Sequence, residues 1–583
     1  MKNKLLNYSP ILLWGTFVIG SFLFIESNFK YWYSFMEQYL MFQTTDIYFL
    51  DKLAEPGGLT QYVAEFLSIS FAYPMGASII LAVLLGGSTA CFYLYLKKCG
   101  FKPSMLVAIL PGFLFWWFPQ ESITPLLTIL IALGVAVVYA SVACKKVRYP
   151  MGFVLLTLTY FTSAPAPILV SVLMGLYECT QANKERIGIA LAWVAYSCVL
   201  PLLAMRAFYV VPMQEAYIGK HLFHPEFPAP KALWWIFCSF PVIALLSFFG
   251  KEKIALQKKV WTVLLAEVLL LAGIVAGIHF RKDPLEQAYQ YDFYARQGQW
   301  QKIVDHAKIN SVHDMDALIY LNLALSHTGQ FIDNFLQFPQ KGEPGFIPYD
   351  PRSRMGLIQA SEVAWQVGQV NASQRFAFVG VLSSERCVQP RLMKRLVETY
   401  LVSGEYRAAE KYIKLLEATP HYKDWAKAQR PLLDASVCES TDWVAKKRAV
   451  MPITDNPFDL TKTLPSALAY LIDDHPDNKA AFEYGMGYVL LHKDLPTFMH
   501  YMELMKERGE AFPTRFQEAI CFYYSAMVKD PAAFNSYPIK PEVKNRFMEF
   551  MQNARKFHPG ALKRQYGDTY YYYMQFGPKL TEK

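Results

Sequence analysis

The stretch PMGFVLLTLTYFTSAPAPILVSVLMGLYE, residues 150–178, decides how this chain is threaded. Two apolar runs, 150–163 and 165–178, flank Ser163-Ala164-Pro165-Ala166-Pro167. Read as a tight hairpin the stretch is two membrane spans; read as one broken helix it is a single span. In either case non-helical backbone at that depth must be buried in protein or line a cavity, because lipid offers no hydrogen-bond partners. Positive charge arbitrates between the readings, since Lys and Arg in short loops mark the cytoplasmic side. With the N-terminus inside and two spans counted, the inner loops hold Lys97/Lys98/Lys102, Lys145/Lys146/Arg148, Lys184/Arg186 and Lys251/Lys253/Lys258/Lys259. The outer connections Pro119–Ser122 and Ser163–Pro167 then hold no positive charge. A single span would turn Lys251–Lys259 outward, so the hairpin is the expected form.

Outward from the hairpin, further apolar runs lie near 10–25, 75–96, 103–119, 122–143, 187–205, 232–249 and 260–279. Together they predict about nine spans in a transmembrane domain over residues 1–280, most of them long enough for about 30 Å of hydrocarbon. Met1-Lys2-Asn3-Lys4 ahead of an apolar run resembles the start of a signal peptide. Glu26-Ser27-Asn28-Phe29 offers no small-x-small cleavage site, so an uncleaved first helix is expected. The whole chain of 583 residues is 53% hydrophobic, with mean hydropathy +0.16. That average conceals an apolar first half and an ordinary helical second half. The net charge of +9 sits mainly in the short loops, and no nucleic-acid-binding module is visible, so no nucleic-acid partner is expected. Nine cysteines show no metal-ligand spacing; Cys387, Cys438 and Cys521, in the second half, permit at most one disulfide.

The first outer loop, residues 26–74, holds more structure than a connector needs. Asn28 to Gln43, NFKYWYSFMEQYLMFQ, is crowded with aromatics, as expected of a helix lying in the membrane interface. Glu55-Pro56-Gly57-Gly58 is a turn signal. Beyond it Leu59, Tyr62, Val63, Phe66 and Leu67 repeat at helical spacing, with Gln61, Glu65 and Ser68 on the other face.

Residues 281–583 read as a helical repeat domain. Tyr294-x3-Gly298-x-Trp300 is echoed by Leu325-x3-Gly329-x-Phe331, Ala364-x3-Gly368-x-Val370 and Tyr400-x3-Gly404-x-Tyr406, roughly 30–40 residues apart. Glycine permits the tight turn between antiparallel helices, and the small Ala409 after the best copy lets its second helix approach. The region, about 285–500, resembles tetratricopeptide repeats, and that likeness implies an α-solenoid whose surface binds polypeptide. The run Tyr570–Tyr573 reads as packing in a closing helix. The fold class expected is therefore all-α: a polytopic transmembrane helix bundle followed by a soluble tetratricopeptide-like α-solenoid.

Catalytic signatures are sparse. No Walker loop, Rossmann glycine fingerprint, HExxH, GxSxG or CxxC is present. His221 and His224 share an outer loop without a third metal ligand, so no metal site and no cofactor are expected. The acids of the outer loops are Asp46, Asp51, Glu55, Glu215 and Glu226.

The overall layout resembles the GT-C class of membrane glycosyltransferases, with their first outer loop of interfacial helices and outer C-terminal domain. That resemblance implies transfer of sugar from a polyprenyl-phosphate lipid to a periplasmic acceptor. It makes Asp46 the base, facing a cavity, with Asp51 and Glu55 as further candidate catalytic acids. Arg206, Lys220 or Lys231 then pair with the donor phosphate. No pair of acids follows the first span directly, which departs from the class. The chain also resembles a family of bacterial membrane proteins with the same two-part layout. The other reading is a non-catalytic scaffold in the bacterial inner membrane, N-terminus cytoplasmic, whose periplasmic repeats bind a protein partner and organise an envelope complex. A transporter ranks third, because ion coupling calls for charged residues within the spans.

Overall fold

The computed structural model describes residues 2–39, 41–101, 104–118, 122–180, 184–220, 231–249, 260–282, 284–348, 350, 353–384, 388–453, 458–530 and 533–578. Among these residues every element is a helix. The chain falls into two compact units, Met1–Glu286 with Glu417–Asp424, and Gln287–Leu416 with Trp425–Lys583.

The first unit contains α1 (Lys2–Asn28), α2 (Lys30–Met36), α3 (Asp46–Leu53), α4 (Gly58–Ser68), α5 (Gly76–Lys98), α6 (Met105–Trp117), α7 (Thr124–Ser141), α8 (Lys145–Thr162), α9 (Ala166–Cys179), α10 (Lys184–Ala207), α11 (Met213–Ile218), α12 (Lys231–Phe249) and α13 (Val260–Phe280). Each of the nine apolar runs lies in one of these helices. Six of them, α1, α5, α7, α10, α12 and α13, carry a stretch long and apolar enough to cross a membrane, so the protein is read as membrane-spanning. Helices α6 and α9 have only 13 and 14 residues, about 20 Å at 1.5 Å per residue. Most of α9 is buried in protein, from Ala166 to Glu178, as short elements in lipid require. On α13 the apolar side chains face outward instead: Trp261, Leu265, Val268 and Val275 are all exposed. Exposed apolar surface of that extent marks a lipid-facing wall.

Around α1 the bundle closes tightly. The Trp116 ring stacks on Phe24 with centroids 4.5 Å apart, and its Nε1 donates to Ser21 Oγ at 3.2 Å. At one end of the bundle Glu178, fully buried, accepts from Tyr139 Oη at 2.9 Å and from Arg148 Nη2 at 3.2 Å, with Arg186 at 3.8 Å. Three of the helices that supply this cluster, α8, α9 and α10, are thereby tied together.

In the second unit the repeat glycines stand where the spacing placed them. Helices α14 (Glu286–Arg296), α15 (Trp300–Ile309), α16 (Met315–His327), α17 (Phe331–Asn334), α18 (Arg354–Gln366), α19 (Val370–Leu382), α20 (Pro390–Ser403) and α21 (Tyr406–Glu417) form four successive pairs. Gly298, Gly329, Gly368 and Gly404 each occupy the turn inside a pair with positive φ. The second pair is cut short, because α17 stops after four residues and gives way to 3-10 turns. Helices continue past residue 500, to Tyr570–Phe576. There Tyr570 and Tyr571 are buried, and the Tyr570 and Tyr573 hydroxyls donate to the carbonyls of Leu490 and Leu491.

These turns separate two costs. A Cβ at Gly404 meets nothing within 4 Å, so Gly404→Ala carries only the left-handed backbone penalty, roughly 1–2 kcal/mol. At Gly368, φ is +89° and a Cβ would sit 2.6 Å from the Val450 carbonyl oxygen. Gly368→Ala is therefore expected to lower the unfolding midpoint of the repeat unit more than Gly404→Ala, as followed by far-UV circular dichroism. Equal shifts would refute the steric account.

Candidate functional site

The helix break at Ser163–Pro165 determines what surrounds the loop of residues 26–74. α8 ends at Thr162, Ser163 is extended, and α9 begins at Ala166 with its amide bonded to the Ser163 carbonyl at 3.0 Å. Ser163 Oγ pairs with Thr128 Oγ1 at 2.8 Å, and Thr60 Oγ1 donates to the Thr162 carbonyl at 2.6 Å. Gly57 closes over this break. Its φ is +73°, and a Cβ there would lie 2.3 Å from the Ala164 amide nitrogen. The turn Glu55–Gly58 thus needs glycine twice over, for its backbone angle and for its close approach.

The turn holds Glu55 against Lys220, Nζ to Oε1 2.8 Å, with the glutamate side chain 23% exposed and the lysine 51%. Glu215 on α11 completes the group. Burial lifts its carboxyl above the ordinary range, Lys220 opposes that rise and Glu55 adds to it. Three of the sequence candidates are therefore gathered at one place.

The other candidates are not. Asp46 is exposed at the first turn of α3, apart from the Glu55–Lys220 pair. Its position has a local reason: Thr45 caps the helix by accepting from the Tyr48 amide at 3.3 Å, and an acid in the first turn complements the helix dipole. Asp51 is exposed on the same helix. Arg206 is exposed in the last turn of α10, where a cation is favoured, and Lys231 is exposed at the start of α12. His221, His224 and Glu226 lie outside the described residues. Among the described residues no group of three or more His, Cys, Asp or Glu could hold a metal ion.

The loop buries two acids, Glu37 and, on α4, Glu65. Glu65 is 2% exposed and lies 3.0 Å from Lys52 Nζ, which is 6% exposed. Gln61 donates to it at 3.0 Å, and the Tyr48 hydroxyl donates to its other oxygen. The apolar side of α3 and α4 faces out: Ile47, Leu50, Val63 and Phe66 are exposed while Gln61, Glu65 and Ser68 are buried. These two helices are amphipathic in the inverted sense, as suits a hairpin bathed in lipid. The aromatic segment before them departs from expectation in the other direction. Residues 32–38 are buried rather than spread along an interface. Tyr422 Oη donates to Glu37 at 2.9 Å, the Thr44 amide to the Ala418 carbonyl at 3.0 Å, and the Tyr31 amide to Glu286 at 3.0 Å.

A second polar constellation, in the repeat unit, was not anticipated. Asp292 on α14, fully buried, receives the Tyr320 hydroxyl at 2.6 Å, pairs with Arg296 at 3.1 Å and is bonded by Arg391. Arg391 and Arg395 on α20 both reach Glu362 on α18, at 3.2 and 2.7 Å, and Arg395 also pairs with Glu398 at 2.8 Å. The first helices of four successive pairs are thereby linked. Two lysines remain over. Lys447 Nζ lies 4.7 Å above the Trp365 ring, and Lys394 Nζ 4.6 Å above Trp425. Burial pulls both lysines down, Lys447 to about 8 with Arg395 adding to the drop. Arg391 and Arg395, four apart on one helix with Glu398 beyond, were the available signal.

The buried loop pair can be tested directly. Lys52→Met leaves Glu65 in an apolar setting without its cation, a loss on the order of 3–5 kcal/mol, whereas Lys52→Met with Glu65→Leu removes both charges and should recover most of it. Thermal unfolding of the full chain in detergent, followed by tryptophan fluorescence, distinguishes the two. A double variant no more stable than the single one would show that the pair is not the unit that matters.

A profile of one protein family, described as a family of unknown function, matches residues 4–577. No curated protein and no solved structure matches the chain.

Proposed function

We propose, for a chain that belongs to the DUF6057 family, a membrane-anchored binding scaffold: the helix bundle holds the repeat unit at a bacterial inner membrane, and the repeat unit takes an acidic segment of a protein partner. The observation that carries this reading is the charge count of the buried network. Asp292, Glu362 and Glu398 are matched by Arg296, Arg391 and Arg395. Among the described residues Lys394 and Lys447 then have no carboxylate within ion-pair distance; each rests on a tryptophan face, and Lys447 donates to the Trp365 carbonyl at 2.6 Å. Half-buried lysines with lowered proton affinity gain most from an incoming carboxylate.

The transferase reading rests on the Glu55–Lys220 pair with Glu215 beside it. In that reading Glu55 or Glu215 takes the acceptor proton, and Lys220 meets the phosphate of a polyprenyl donor. Complementation of a deletion strain separates the two. For the scaffold, Asp46→Asn, Asp51→Asn and Glu55→Gln retain function, and the double change Lys394→Glu, Lys447→Glu abolishes it with a tenfold or greater loss of co-purifying partner. If Glu55→Gln abolishes function while the lysine reversal is silent, the transferase reading takes its place, since general-base loss costs about 10²–10⁴-fold in rate.

The orientation that both readings need follows from the basic loops. Reporter fusions after Lys98, Lys146, Arg186 and Lys253 are expected to read cytoplasmic, and one after Asp283 periplasmic. A cytoplasmic signal at Asp283 would place the repeat unit on the opposite side and overturn both.

A further inference from the structure

The repeat unit contains a cavity of about 530 Å³ far along the chain from the arginine network. It opens among the Phe331–Asn334 helix, the turn before Lys479–Leu491, the Leu495–Glu507 helix and the start of Thr514–Phe522. The volume is that of a small-molecule or single-side-chain pocket. Its floor is apolar and aromatic: Ile472, Tyr501, Met505 and Phe516 are buried, and Phe482 meets Phe516 edge-on at 6.2 Å.

Its charge is one-sided. Five carboxylates and two cations line it. The cations are already engaged, Arg508 with Glu510 at 3.8 Å and Lys479 with Glu483 at 3.7 Å. Glu483 is the decisive residue. It is 7% exposed and lines the cavity, yet among the described residues it accepts no hydrogen bond within 3.5 Å. The Lys479 side chain opposite it is 77% exposed, held largely in water. Burial lifts the Glu483 carboxyl to about 7, Lys479 opposing and Asp333 adding. A buried carboxylate whose cation, Lys479, stands 3.7 Å off and mostly in water, in a cavity lined by aromatic rings, is the complement of a cation with an apolar stem.

We propose that this cavity is a binding site for an organic cation, a primary ammonium or guanidinium on an apolar stem, whose charge meets Glu483 and whose stem lies over Phe482, Tyr501 and Phe516. The same chemistry comes from a free polyamine or from a lysine or arginine side chain of a peptide. The site is independent of the scaffold reading and uses none of its residues.

Isothermal titration calorimetry on the full-length protein in detergent tests it with two probes, spermidine and the end-blocked tripeptide Ala-Lys-Ala. Saturable binding of either supports the site, and the stronger of the two names the source. Glu483→Gln is expected to weaken binding at least tenfold, and Asp477→Asn at the cavity wall to weaken it less. Glu542→Gln, on another helix, should leave it unchanged. Should Glu483→Gln fail to fold, Glu483→Asp keeps the charge and withdraws it, and it too should weaken binding. No heat with either probe overturns the proposal. So does binding that Glu483 variants leave intact, or equal binding of Ala-Glu-Ala.

Discussion

Backbone groups facing hydrocarbon have nothing to bond with, and this chain interrupts a membrane-length apolar stretch at Ser163–Pro165. Much of the first unit follows from covering that interruption. Side-chain hydroxyls of Thr60 and Thr128 supply hydrogen bonds there, and Gly57 brings its backbone against Ala164. The loop of residues 26–74 is therefore part of the bundle's closure and not a connector. Because the loop must come this close, its turn needs Gly57-Gly58, and Glu55 just before the turn is delivered to Lys220.

The same constraint accounts for the inverted amphipathicity of α3 and α4. A hairpin that covers the bundle from the lipid side turns its apolar side chains outward and its polar ones inward. The inward side then has to be satisfied within protein, and Tyr48, Lys52, Gln61 and Glu65 do so among themselves. Such a cluster is costly to form and more costly to half-remove, so it fixes the hairpin in one position. An acid held in this way is poorly suited to proton transfer, since its lone pairs are already occupied.

The apolar runs, the helix break at Ser163–Pro165 and the four glycine turns were legible because each is a local property: run length, a proline-rich break, a positive-φ position. What the sequence withheld were choices between faces and between distant partners. The period of α4 separated Glu65 from Phe66 but could not say which side is buried; in water the apolar face goes in, beside lipid it goes out. Asp46 and Glu65 are equally acidic letters in one loop, and only the fold buries the second. The aromatic segment from Asn28 has the composition of an interfacial helix, and its burial depends on Glu37 meeting Tyr422, almost 400 residues away. The Asp292–Arg391–Glu362 network likewise joins residues up to 99 positions apart, beyond any periodicity argument.

That network also bears on what the repeat unit is for. Burying or half-burying six charges gives little stability compared with an apolar core of the same volume, because desolvation offsets most of the attraction. What matched pairs do provide is register: Arg391 can satisfy Asp292 and Glu362 together only if α14, α18 and α20 stack in one alignment. Register accounts for Arg391, Arg395, Asp292 and Glu362, while Arg296 and Glu398 pair within their own helices. It does not explain Lys394 and Lys447, which bond no carboxylate of the network and are half-buried at an electrostatic disadvantage. Each is nonetheless held in place, Lys447 by donating to the Trp365 carbonyl at 2.6 Å and both by a tryptophan face, so two ammonium groups are fixed beside the network, where the proposed acidic segment would meet them.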